Sequence, residues 1–227
     1  MRLAIWCLCV ALLVGSASAQ VPPSAAEMEA YKGLHAAVAA KDRSVVARLI
    51  EGGADVNAVD RNGRTPLMIA AYMRDQKGLR ALVQAGGDLN ALDHQQYDVI
   101  TISSVIDDAQ MVELAISLGA DAKLITSPYE GTALIAAAHL GHAAVVRALI
   151  AGGAPLDHVN NLQWTALIES IVLGDGGFNH VATLRALVEA GADVNLADGE
   201  GSTPLSLARG RGYTAMMDIL SAAGAKP

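Results

Sequence analysis

Apolar residues along the chain fall into short blocks at helical spacing, each followed by a glycine. Val45, Val46, Leu49 and Ile50 make one such block and Val145, Val146, Leu149 and Ile150 another, the spacing that lays a stripe along one side of an α-helix. Gly53, Gly86, Gly119, Gly153, Gly191 and Gly224 stand where these helices must end in a left-handed turn. Upstream of most blocks lies a shorter apolar run that opens on a capping residue. Thr65, Thr132, Thr165 and Thr203 offer a hydroxyl there, and Pro66 and Pro204 suit the first helical turn, where no amide partner is lost. Alanines behind these caps, such as Ala70 and Ala71 or Ala136 to Ala138, keep the first helix thin enough to stack closely. The pattern predicts pairs of short helices joined by turns and separated by loops.

The pairs repeat. GGADVNAVDRNGRTPLMIAA at 52–71 returns as AGGDLNALDHQQYDVITISS at 85–104, GGAPLDHVNNLQWTALIES at 152–170 and DVNLADGEGSTPLSLA at 193–208. From Thr65 through Asp98 and Thr132 to Thr165 the steps are 33, 34 and 33 residues. The acidic, glycine-rich DGEG at 198–201 has the look of an ion-binding or phosphate-cradling loop. Its counterparts recur with different residues, so it reads as architecture. Each unit is a helix, turn, helix and hairpin-like loop, and none can bury its apolar face alone.

These segments resemble the ankyrin repeat, whose pattern runs as an Asp-x-x-Gly-x-Thr-Pro-Leu-His start, a Gly-His turn and a Gly-Ala-Asp-x-Asn end. The resemblance spans residues 26–227 in six units, 27–58, 60–91, 93–123, 127–157, 160–197 and 198–225. It implies an all-α solenoid of stacked helix-turn-helix units with hairpin-like loops. Unit one lacks the Thr-Pro start but keeps LHAAV at 34–38, and Ser24 with Glu27 forms a capping box that starts a helix near Ala25. Two units depart from the pattern. Unit three has Asp98, Val99 and Ile100 in place of Thr-Pro-Leu and Gln96 in place of Gly, which predicts a less regular loop, although Asp98 still caps. Unit five takes 26 residues from Thr165 to Gly191 where unit two takes 21 from Thr65 to Gly86, an insertion of 5 around GDGGFNH at 174–180. It is either a tolerated surface insertion or a second contact loop tipped by Phe178.

The first nineteen residues carry one positive charge at Arg2, an apolar run from Leu3 to Gly15, and small residues at Ala17 and Ala19. That is the layout of a secretory signal cut after Ala19, and the run is shorter than the roughly 20 apolar residues of a spanning helix. Residues 20–25 then form a linker, and the cut chain is expected in the periplasm or secreted, without membrane insertion and monomeric when free. Both cysteines, Cys7 and Cys9, fall inside the signal, so the cut chain has no thiol and no disulfide. The alanine-rich composition and the lack of an Asn-x-Ser/Thr acceptor fit a bacterial periplasmic protein.

Residues 20–91 hold 9 basic and 8 acidic residues, and residues 92–227 hold 6 and 15. Such a balance repels phosphate backbones and makes nucleic acid a poor partner, while the acidic half attracts a basic surface. No His-Glu-x-x-His, Gly-x-Ser-x-Gly, Ser-x-x-Lys or Gly-x-x-x-x-Gly-Lys motif occurs. His139 and His142 are spaced to share a metal, but they fall on the repeat's own turn and no third ligand is placed. The sequence points to no enzyme, no cofactor and no metal.

The resemblance also implies that variable residues of the loop tips and first helices line a concave face that binds protein. Unit by unit these are Arg61, Asn62, Arg64, Tyr72 and Met73; His94, Gln95, Tyr97, Val105 and Ile106; Tyr129, His139 and Leu140; and Asn161, Leu162, Trp164, Val172 and Leu173. Four of the seven aromatics outside the signal, Tyr72, Tyr97, Tyr129 and Trp164, fall here, and aromatics with Arg dominate interface hot spots. Two readings stand for Tyr97 and Trp164, partner contact or packing against the adjacent loop. Arg61 and Arg64 give the stripe a cationic end that suits an acidic spot on a partner. The expected function is a non-catalytic protein-binding module, an accessory or scaffold factor for an envelope or periplasmic protein. The alternatives are an inhibitor or immunity protein against a toxic enzyme, and a metal-binding hydrolase using His94, His139 and His158.

Overall fold

The computed structural model describes residues 22–227. The expected signal, its cut after Ala19 and the first residues of the linker lie outside the described residues. After a short α1 (Ala25–Ala30) the helices come in six pairs: α2 (Gly33–Ala39) and α3 (Arg43–Glu51), α4 (Pro66–Tyr72) and α5 (Gln76–Gln84), α6 (Val99–Val105) and α7 (Ala109–Ser117), α8 (Ala133–His139) and α9 (Ala143–Ala151), α10 (Ala166–Val172) and α11 (Phe178–Glu189), α12 (Pro204–Gly210) and α13 (Thr214–Ala222). First helices pack on first helices from α2 to α12, and the second helices α7, α9, α11 and α13 pack on one another likewise. The chain is a solenoid in which each unit covers the apolar side of the one before.

Local chemistry sets the boundaries. Thr65, Asp98, Thr132, Thr165 and Thr203 each accept from the amide three residues on, capping the first helices of units two to six. In unit one Lys32 takes this register and makes no side-chain cap. Every second helix ends in a left-handed glycine; at Gly86, φ is 94° and Gly87 N–H returns to Leu82 O over 2.9 Å. Behind the caps Ala70, Ala71, Ala137 and Ala138 are fully buried beside Leu67, Leu82, Met111, Leu134, Leu149 and Leu167, so small side chains do set the stacking distance.

The loops are zipped to one another. Asp60 Oδ1 accepts from Asn62 N–H and Arg64 N–H, and the same double turn is built on Asp93, Ser127, Asn160 and Asp198. Asp198 of the acidic run at 198–201 thus serves the backbone of its own loop, while Glu200 stays exposed. A second ladder runs behind it: Asn57, Asn90, Asp157 and Asn195 each accept from an amide of the following loop, at Asp88, Asp121, Asp193 and Lys226. Only in unit four does the hairpin become a two-stranded ladder, β1 (Ile125–Thr126) against β2 (Gly131–Thr132).

Two expectations change. The unit-three loop is as regular as its neighbours, because Gln96 adopts the left-handed turn at φ 63° and Asp93 still collects both amides. The extra length of unit five is shared between a loop and a longer second helix, with α11 at twelve residues where the other second helices have nine. Phe178 is the first residue of that helix rather than the middle of a loop.

Candidate protein-binding face

Arg64, Tyr97, Gly131, Trp164 and Ser202 occupy one position in successive loops, each donating its amide to the loop's own acceptor. The loops set these positions in a row, with no side chain at Gly131, and the C-terminal ends of the first helices carry Tyr72, Met73, Leu140, Val172 and Leu173. The row is not uniform. Tyr129, Leu140, Leu162 and Leu173 are exposed, Trp164 is half-buried, and Tyr72, Met73 and Tyr97 pack partly against the core. The Tyr72 hydroxyl is buried without a hydrogen-bond partner, and burial pushes both tyrosines' titration up. Packing is therefore a large part of what Tyr72 and Tyr97 do.

Arg64 is a correction. Its side chain is 4% exposed, with Nε donating to Asp60 Oδ2 at 2.8 Å and Nη2 to Glu27 Oε1 at 2.7 Å. Its own carbonyl accepts from His35 Nε2 at 2.9 Å, and Tyr31 Oη donates to the same Asp60 carboxylate at 2.9 Å. Burial raises the Asp60 carboxyl, but hydrogen bonds from the Arg64 amide and guanidinium, Asn62 and Tyr31 outweigh it, and the net direction is down. Desolvation weakens the Arg64 charge and its bonds to Asp60 and Glu27 more than restore it. Arg61 stays 77% exposed but also reaches Glu27 Oε1, at 3.2 Å. The cationic end expected of this face is neutralised from within by α1 and Asp60. With it goes the reason to expect an acidic spot on a partner that meets the face as it stands.

Sequence reasoning missed Glu169. Its side chain is 5% exposed in α10, where it meets Asn160 Nδ2 at 2.9 Å and His139 Nδ1 at 3.2 Å. A signal was present. Position 169 is Ala36, Ile69, Ile102, Ala136 or Leu207 in the other first helices, and the loop acceptor beside it is Asn160 where three other loops have Asp. An amide there donates to the carboxylate, whereas an aspartate would repel it. Also missed was a set of exposed apolar residues at the loop entries, Val59, Leu92, Ile125 and Val159. They recur at nearly the repeat spacing, and an unexplained periodic hydrophobe in a loop is the signal for them.

The remaining candidates are dispersed. His94 is exposed and lies over the preceding loop, where a Cβ on Gly63 would come within 2.7 Å of its ring. His139 holds Glu169, and His158 Nε2 bonds Glu130 O. The three histidines offered as metal ligands are not brought together, and among the described residues no group of three His, Cys, Asp or Glu is placed to hold a metal ion. Phe178, 87% exposed, opens α11 just after a loop that its neighbours hold in place. Tyr213 Oη donates to Gly174 O at 2.8 Å, and His180 lies between Asp175 Oδ1 at 2.8 Å and His139 O at 3.0 Å.

The sequence profile described as ankyrin repeats (3 copies) matches residues 7–93 and 101–198. The chain belongs to the ankyrin repeat family. Among curated proteins it is similar to the ankyrin repeat protein YahD of Escherichia coli (strain K12), 36% identical over 76% of this chain and 86% of that one. Among solved structures an ankyrin repeat domain from Acinetobacter baumannii AYE matches with a TM-score of 0.80 and 40% identity, over 85% of this chain and 98% of the other. A chain from the complex of a predatory endopeptidase from Bdellovibrio bacteriovorus with an immunity protein matches with a TM-score of 0.70 and 25% identity, over 85% and 98%. Ankyrin repeats are protein–protein interaction modules, and large apolar residues are exposed along the loops and first helices of this chain. Among the described residues no helix is long and apolar enough to cross a membrane.

Proposed function

We propose that the protein is exported, loses residues 1–19, and works in the periplasm as a non-catalytic accessory or scaffold factor that holds a protein partner on its loop and first-helix face. The observation that carries this reading is the cluster of Tyr129, Leu140, Leu162 and Leu173, large apolar side chains left exposed on neighbouring units of a well-packed array. Solenoids have core enough to hide such residues, so a run of them in the open marks a contact surface. The loop acids of this half, with Glu130 and Glu200 exposed, favour a partner with a basic rim around an apolar centre.

A second reading has a specific observation behind it. The similarity to a chain from an endopeptidase–immunity protein complex supports an inhibitor that blocks a toxic enzyme. Both readings are tested by passing a native periplasmic extract over immobilised residues 20–227 and assaying any retained enzyme with and without the chain. A retained partner whose activity is unchanged or raised supports the accessory role, and one whose activity is abolished supports the inhibitor. Retention of nothing beyond a scrambled-surface control overturns both.

A further inference from the structure

The α1 segment has no helical counterpart in the later units and covers little core. It has six residues, none of them buried, and among residues 22–30 only Pro23 is buried. A helix of this length has no stability of its own. What ties it down is Glu27. One carboxylate oxygen, Oε1, receives Asn62 Nδ2 at 2.7 Å, Arg64 Nη2 at 2.7 Å and Arg61 Nη2 at 3.2 Å, while Oε2 accepts from Ser24 N–H and Oγ. Hydrogen bonds from the Ser24 amide and hydroxyl, and then from Arg64 and Arg61, hold the Glu27 carboxyl well below the usual carboxylate range.

The three donors are not arbitrary. Positions 61, 62 and 64 are the variable positions of a loop whose counterparts in later units, Leu162 and Trp164 among them, lie on the face assigned to a partner. Glu27 lies between two cavities of about 310 and 260 Å³ and lines both, the first with Tyr31, His35 and Arg61, the second with Asn62, Arg64 and His94. It is the one lining residue the two cavities share. Arg64 keeps Asp60 as a partner if Glu27 leaves, but Arg61 and Asn62 lose the acceptor that joins them.

We propose that Arg61, Asn62 and Arg64 form a carboxylate-binding clamp for a glutamate on an incoming peptide segment, and that Glu27 fills this clamp in cis as a latch. Three donors converging on one oxygen, two of them Arg, match a single carboxylate. Asp93 lines the second cavity, so a further carboxylate placed on that side is opposed. While α1 is docked the clamp is closed to acidic segments; when it swings out, the same donors accept one from a partner. This stands whether or not the apolar part of the face takes a partner, and its test uses no partner.

The test is an NMR titration of the amides of Asn62, Gly63 and Arg64 in isotope-labelled residues 20–227, wild type and Glu27→Ala, with a synthetic peptide of residues 22–32 and with its Glu27→Gln counterpart. The expected result is an apparent Kd at least tenfold lower for Glu27→Ala than for wild type, lost with the Gln peptide and lost when Arg61→Ala is added. Equal affinities in the two chains, or no shift in either, overturn the proposal. Hydrogen exchange on the wild-type chain gives an independent reading: α1 amides are expected to exchange at least a hundredfold faster than those of α4, and equal protection makes α1 an integral part of the fold and overturns the latch.

Discussion

Asp98 is the residue at which this chain departs furthest from its own pattern. It caps α6 as threonines cap α4, α8, α10 and α12, accepting from Thr101 N–H at 2.7 Å, but it places a carboxylate where those have a hydroxyl. Burial raises its titration, with Thr101's side chain and amide pulling the other way. A carboxyl whose folded pKa is raised is tolerated when protonated and costs stability once pH rises through that value. Asp98→Thr keeps the cap and removes the charge, so it is expected to stabilise at pH 7 by roughly 1 kcal/mol, or about 2–4 °C in Tm for this size, and by less at pH 4. Calorimetry at the two pH values checks this; a gain that is absent at pH 7, or larger at pH 4, contradicts it. At this scale the sequence was legible where a role repeats, as for Thr65, Thr132, Thr165 and Thr203. It was not legible for Arg64, because the acceptor that helps bury it, Glu27, lies 37 residues upstream in a segment with no repeat counterpart.

Among the elements, the joint between α10 and α11 is the least like its neighbours. Its length was readable as an inserted 174–180, but the extra helical turn was not, since a glycine-rich run gives no helical signal of its own. The joint is rigid because two glycines admit close neighbours. Gly176, at φ 69°, would put a Cβ 2.4 Å from the Tyr213 ring, and Gly174 would put one 2.9 Å from His180. Gly176→Ala is therefore expected to cost about 2 kcal/mol and to loosen α12 and α13 where Tyr213 docks. Phe178→Ala, at an exposed position, is expected to change stability by less than about 0.5 kcal/mol. Denaturant melts of the two variants separate them, and equal losses contradict this account of the joint. If Phe178 serves a second contact, its loss appears in partner affinity alone.

For the whole molecule, period and helix pairing were legible because stacking forces the same solution on every unit. The binding face was legible as a set of positions and less so as a set of residues: half-burial of Tyr72 and Tyr97 depends on neighbours one repeat away, and the Asn160–Glu169 pair shows only when two departures from the pattern are read together. The basic residues Arg147 and Arg185 sit exposed on the second helices, α9 and α11, away from the loops. They provide the control for the measurement that bears most directly on the central claim, titration calorimetry of the captured partner against residues 20–227, a Leu162→Ala/Trp164→Ala variant and an Arg147→Ala/Arg185→Ala variant. With about 2 kcal/mol for each central hot spot, the first variant is expected to weaken binding at least thirtyfold and the second less than threefold. Unchanged affinity in the first, or a larger loss in the second, would show that the partner is held elsewhere.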